Sequence, residues 1–140
     1  MSAIVAGRAA LPEVGVSLRA ARRLEDGFLW VYSNEVESHG GRPAPAFGCP
    51  FVRAGRTVAT GYFNRHSLIA GRAVARGDVH DLGRLLEDRL LSAFARRRPL
   101  EQGRSVRIVF SEADQLPVLV IDLFPPYPVL HRNAAGIDLM

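Results

Sequence analysis

The stretch Gly61-Tyr62-Phe63-Asn64-Arg65-His66-Ser67-Leu68-Ile69-Ala70-Gly71-Arg72 joins rings, polar hydrogen-bonding groups and guanidinium groups where an apolar strand turns. Rings can stack on bases, and guanidinium groups can hold phosphate. Arg65 and Arg72 are the candidate phosphate contacts. Tyr62, Asn64, His66 and Ser67 are candidates for stacking or polar contacts. An ordinary hairpin turn with a solvated basic residue fits the same residues. Asn64 and Ser67 could serve only that turn, through side-chain to backbone hydrogen bonds.

Two further groups have compatible chemistry. Arg22 and Arg23 fall on the outer side of a short charged segment with helical spacing, Arg19 to Asp26. They could meet phosphate or simply face solvent. Trp30 and Tyr32 share one strand face by the period of two. They could stack bases or pack against that helix, and the size of Trp30 favours a core position. The cluster Arg96-Arg97-Arg98 reads as a solvated helix end or a second phosphate contact.

The charge balance permits such a partner. The chain has 18 basic and 14 acidic residues, a net charge of +4, and no lysine. Arginine makes planar, bidentate phosphate contacts and stacks on bases, which lysine does less well. A net charge of this size allows an anionic partner without requiring one.

Other chemistries find little support. Cys49 is the one cysteine, so an internal disulfide is impossible and nothing points to an oxidising compartment. Its loop, Phe47-Gly48-Cys49-Pro50, carries no nucleophile motif. His39, His66, His80 and His131 are scattered without metal-ligand spacing, so no metal is expected. Glu112 and Asp114 form a carboxylate pair, but a turn role for Asp114 fits better than acid-base work. No glycine-rich phosphate loop follows a strand. No signal peptide and no membrane span are expected, which makes the cytoplasm the default location.

These groups need elements to hold them. Hydrophobic residues make up 48% of the 140, enough for one modest core or two small ones. Val14, Val16 and Leu18 alternate as in a strand, after a loose arm or edge strand. Gly27 ends the Arg19 to Asp26 helix. Trp30 to Val36 reads as a strand and Ser38 to Pro50 as a glycine- and proline-rich loop. Phe51-Val52, Thr57 to Phe63 and Leu68 to Ala75 read as short strands of a small barrel. The pattern changes at Gly77. Leu82, Leu85, Leu86, Leu90 and Phe94 repeat at helical spacing, with Asp81 as N-cap and Pro99 as stop. Ser105 to Phe110 and Leu116 to Phe124 flank a turn, and Val129 to Arg132 is a third strand. The expected fold is α+β: a small, mostly β barrel over residues 1–77, then a partial α+β domain, a helix plus antiparallel strands, over residues 78–140.

Three segments in this order resemble the N-terminal part of RlmI-type ribosomal RNA (cytosine-5) methyltransferases. Phe28-Leu29-Trp30-Val31-Tyr32-Ser33 stands where that family has histidine-proline-tryptophan-valine-phenylalanine-serine. Phe63-Asn64-Arg65-His66-Ser67 stands for tyrosine-asparagine-proline-x-serine. Ser111-Glu112-Ala113-Asp114-Gln115-Leu116-Pro117-Val118-Leu119 stands for glycine-glutamate-alanine-aspartate-glycine-leucine-proline-glycine-leucine. The similarity covers about residues 15 to 140. Leu29 and Arg65 replace prolines, while Gln115 and Val118 replace glycines, which leaves that turn's conformation open.

The resemblance implies a PUA domain, a small RNA-binding barrel, followed by the start of a central domain. It places the Arg19 to Asp26 helix and the Gly61 to Arg72 segment at the RNA-binding face. The family's S-adenosylmethionine loop and nucleophilic cysteine lie beyond the last residues here, Gly136 to Met140. The expectation is therefore an RNA-binding module for structured, ribosomal RNA. It would have no cofactor of its own, S-adenosylmethionine entering only with a supplied catalytic domain. Two alternatives stay open. One is a protein-interaction or self-association module from a truncated gene, with a homodimer through an exposed sheet edge. The other is the N-terminal piece of a methyltransferase whose catalytic domain is on a separate reading frame.

Overall fold

A computed structural model describes residues 13–41, 45–98 and 103–132. The expected N-terminal arm, up to residue 12, and the Pro99 helix stop lie outside the described residues. The described chain divides into two compact units, one up to His80 and one from Asp81.

The first unit holds β1 (Val14–Val16), α1 (Leu18–Glu25), β2 (Trp30–Tyr32), β3 (Val36–His39), β4 (Ala46–Arg53), β5 (Arg56–Phe63) and β6 (Ile69–Arg76). Its strands form one curled, half-barrel sheet in the order β2-β6-β5-β4-β1-β3. All neighbours run antiparallel except β1 and β4. The Ser17 hydroxyl starts α1 by accepting from the Ala20 N–H at 3.2 Å. Ala20, Ala21 and Leu24 of α1 enter the core with Val14, Val16, Val31, Phe51 and Phe63.

Two expected elements differ. A single strand from Trp30 to Val36 is interrupted by a 3-10 turn, Ser33–Glu35. The buried Glu35 carboxylate makes that break, accepting from the Tyr32 N–H at 3.0 Å and from Arg23 at 2.5 Å. The loop read over Ser38 to Pro50 instead supplies the end of β3 and most of β4. The β4–β5 register shifts between Phe47 and Cys49, where Gly48 has φ +85°, a bulge that the left-handed glycine makes possible. Pro50 is tolerated because β1 pairs with β4 only at Phe51 and Val52, leaving the proline no ladder partner on that side.

The second unit has α2 (Leu82–Arg97), β7 (Val106–Phe110), a 3-10 turn (Ser111–Asp114), β8 (Leu119–Phe124) and β9 (Tyr127–Arg132). Its sheet order is β7-β8-β9, antiparallel throughout. The Asp81 carboxylate caps α2 by accepting from the Arg84 N–H at 2.9 Å. Leu86 and Ala93 of α2 are buried, as are Ile108 and Val109 of β7 and Leu116, Val118, Leu119 and Val120 around the turn. The fold is thus α+β, with a mostly β first unit and a helix plus antiparallel strands in the second.

Asp114 anchors the turn before β8. It is 4% exposed. Its carboxylate accepts from Arg96 Nη2 at 2.5 Å, from Arg97 at 2.9 and 2.7 Å, and from the Phe110 N–H at 2.7 Å. Burial pushes its pKa up, but the bonds from Arg97, Phe110 and Arg96 outweigh it and hold the carboxyl below its ordinary value. Arg96 and Arg97 are therefore bound to the fold at the helix end.

The same turn keeps left-handed backbone without glycine. Ser111, Gln115 and Val118 have φ of +47°, +57° and +67°. Such conformations cost side-chain-bearing residues roughly 1–2 kcal/mol each. Gln115 is exposed, so its side chain can be removed without opening a cavity. Gln115→Gly should stabilise the protein by about 0.5–1 kcal/mol after the added chain entropy of glycine. A raised denaturation midpoint is the expected reading; a lowered one would show that the backbone is unstrained there.

Candidate nucleic-acid interface

Strand register sorts the residues of the first unit onto two faces. Ala46, Phe63, Gly71 and Val31 follow one another across β4, β5, β6 and β2. This row faces α1 and the core, with Val31 fully buried. The neighbouring row is Phe47, Tyr62, Arg72 and Trp30, directly paired strand to strand. Paired residues share a face, so this row lies opposite the core. Trp30 is half-buried there, and the core position belongs to Val31.

The β2 edge gathers rings and cations. The Arg72 guanidinium carbon is 5.8 Å from the Trp30 ring centroid. The edge of Phe28 meets Trp30, with centroids 6.1 Å apart at 72°. Arg23 lies 4.8 Å from the Phe28 ring and 5.4 Å from the Tyr32 ring. Phe28 is 41% exposed, which leaves a ring surface open at this edge.

Arg23 works inside this cluster. It pairs with Glu35, and its Nη2 donates weakly to the Trp30 carbonyl at 3.5 Å. Its Nε is buried with no hydrogen-bond partner among the described residues. Arg23 is half-buried and makes these bonds within the fold. Arg23 positions the aromatic residues of β2 against α1. Arg22 is exposed on α1, and Arg19, one turn earlier on the same side, is exposed as well.

The β5–β6 turn is built by Asn64. Its main-chain N–H donates to the Ala70 carbonyl at 2.8 Å, and its carbonyl accepts from the Ser67 N–H at 3.1 Å. Its side-chain oxygen accepts from the His66 N–H at 3.0 Å. Arg65 and His66 are exposed at the tip, where Arg65 Nε donates to His66 Nε2 at 3.1 Å. Ser67 is half-buried beside them. The Ser33 N–H donates to the Leu68 carbonyl at 2.9 Å, which ties the turn to the end of β2. The tip and the β2 ring cluster therefore share one end of the sheet.

Tyr62 does not belong to the accessible surface. It is 1% exposed, which closes its faces to a stacking base. Burial pushes the phenol pKa up, against a hydrogen bond with the Asn64 side chain and the charge of Arg72. Within the fold its neighbours are the Asn64 side chain and the charge of Arg72.

Of the residues singled out in the sequence, the structure brings Asn64, Arg65, His66, Ser67 and Arg72 to one end of the sheet. Phe28 and Arg19 were missed, and Trp30 was assigned to the core. The alternation Phe28, Trp30, Tyr32 was the available signal. Among the described residues, no cluster of three histidine, cysteine, aspartate or glutamate residues could hold a metal ion. No described helix is long and apolar enough to cross a membrane.

Residues 14–76 match the family model described as the PUA-like domain, which supports a PUA fold for this segment. No curated protein matches the chain.

Proposed function

We propose that the PUA-like domain of residues 14–76 is a structured-RNA-binding module. The observation that carries this reading is the β2 edge. There Phe28, Trp30 and Arg72 stand beside the exposed turn of Arg65 and His66. In this reading Arg22, Arg65 and Arg72 hold phosphates. Phe28 and Trp30 offer ring surface to a base, and His66 and Ser67 make polar contacts. Asn64 keeps the turn in shape. The match of residues 14–76 supports the reading, since PUA-like domains commonly bind RNA.

The motif resemblance supports a finer version. The RNA would be ribosomal, and the chain would act in the cytoplasm as the non-catalytic part of a methyltransferase-like protein. No step of methyl transfer is assigned to its own residues.

The test is the salt dependence of binding to a hairpin RNA. Replacing Arg65 and Arg72 by alanine should weaken binding. It should also lower the slope of log K against log salt by about two or slightly less. The single variant Arg65→Ala should lower it by about one, without disturbing Trp30. Unchanged affinity and slope in folded variants would refute the reading, and a salt-independent complex with protein partners would favour an interaction module.

A further inference from the structure

The end of β6 holds a cation that the reading above does not use. β2 pairs with β6 at Trp30 and Arg72, and the Ala73 N–H donates to the Leu29 carbonyl at 2.7 Å. The chain before β2 therefore keeps company with β6 as it runs back through Phe28 to Gly27. There it meets Arg76. A methyl group on Gly27 would stand 2.5 Å from Arg76 Nη2, so the guanidinium lies against the main chain that a glycine leaves bare.

Arg72 and Arg76 thus bracket Phe28. Arg72 stands by Trp30, its guanidinium carbon 5.8 Å from that ring, and Arg76 stands by Gly27. Between them the Phe28 ring is exposed. At the rise of an extended strand the two arginines are roughly 13 Å apart along β6. Arg76 is exposed, and among the described residues no carboxylate pairs with it. Asp26, beside Gly27, is exposed and joined to no cation among the described residues. By contrast, Arg53 and Arg56 of the β4–β5 hairpin are paired with Glu37 and Glu25. An arginine without such a pair keeps its charge and its fork of donors for an anion from outside.

We propose that Arg76 is a further phosphate contact, so that an RNA strand crossing the Phe28 ring is gripped on both sides, by Arg72 and by Arg76. The proposal rests on the RNA-binding reading of this unit. A base that leaves its stack to lie on Phe28 takes its backbone along β6. The phosphates before and after it then fall to the two guanidinium groups. The ligand class is an RNA with an unpaired nucleotide inside a strand. An unpaired nucleotide at a strand end has a phosphate on one side only and leaves one of the two arginines unused.

The experiment uses the full chain with two RNA duplexes. One has a single bulged nucleotide inside a strand, and the other carries the same nucleotide as a terminal overhang. Arg76→Ala should weaken binding of the bulged duplex roughly fivefold at about 0.15 M salt and lower the slope of log K against log salt by about one. Binding of the overhang should change little. Arg76→Lys keeps the charge and should keep the slope. Arg53→Ala removes the same unit of charge from a glutamate-paired site and should leave the slope alone. An arginine that only served the end of α1 would lower the denaturation midpoint of Arg76→Ala without changing the slope, and that result overturns the proposal. So does an equal loss on the two duplexes, or an equal fall in Arg53→Ala, either of which reports net charge alone. If Arg65→Ala lowers the slope and Arg76→Ala does not, this proposal falls by itself. If neither does, the RNA-binding reading of the unit falls with it.

Discussion

Asp114→Asn should destabilise the second unit by about 3 kcal/mol, the scale seen when one partner of a buried ion pair is removed. The carboxylate is the meeting point of Arg96, Arg97 and the Phe110 N–H. Asparagine keeps the shape but brings an amide where only acceptors fit, and it discharges the pairing. The two arginines are more exposed than the aspartate, at 57% and 25% against 1% for the side chains, so part of the loss is recovered by hydration. The pH dependence has a definite sign. The folded pKa is depressed below the ordinary aspartate value. The stabilisation is therefore present above the unfolded value of about 3.9 and is lost as pH falls through the folded pKa. Denaturant titrations from neutral to acid should show the wild-type advantage shrinking below about pH 4, with a flatter acid limb in the variant. Equal stability of the two proteins at neutral pH would remove Asp114 from its central place in the turn.

The second large effect is expected from Gly61→Ala. A methyl group at Gly61 would stand 2.2 Å from the Arg72 carbonyl oxygen and 2.7 Å from the Ala73 Cα. Both are main-chain atoms of the adjacent strand, so no rotamer change relieves the clash. The register shift between Thr60 and Gly61 marks the same close approach. The strands must part, at a cost of about 3 kcal/mol or more. Since Tyr62 and Arg72 flank this point, RNA affinity should fall with stability. A chemical denaturation curve within about 0.5 kcal/mol of wild type, the usual range of surface substitutions, would contradict the packing described.

Much of the fold was legible because its signals were local. Gly27 ends the first helix and Asp81 announces the second, and the leucines of α2 keep helical spacing. Proline and glycine misled between Ser38 and Pro50, because pairing with β5, not local preference, makes β4 a strand there. The site was read less fully. Arg22 and Arg23 are adjacent and alike in sequence; only the distant Glu35 decides that Arg23 turns inward. Tyr62 lay in the most suggestive stretch, yet residues on both sides of its strand are buried, which no alternation pattern reveals. Phe28 lay in a gap between helix and strand and stood only as one residue of a family motif, not as a contact. Gln115 and Val118 replaced glycines, and the turn still kept its left-handed backbone.

The position of β2 in the sheet has a consequence for biogenesis. It is written early in the chain, yet its one sheet neighbour among the described residues is β6, whose last residue is Arg76. During synthesis the segment from Phe28 to Tyr32 has no strand to pair with until some forty residues more have been made, a separation that slows the search for native contacts. The ring cluster and the turn beside it therefore come into being together, in the last pairing event of the first unit. A nascent chain halted before Gly71 lacks the edge proposed to bind RNA, so RNA affinity would then serve as a sensor that this unit has finished folding.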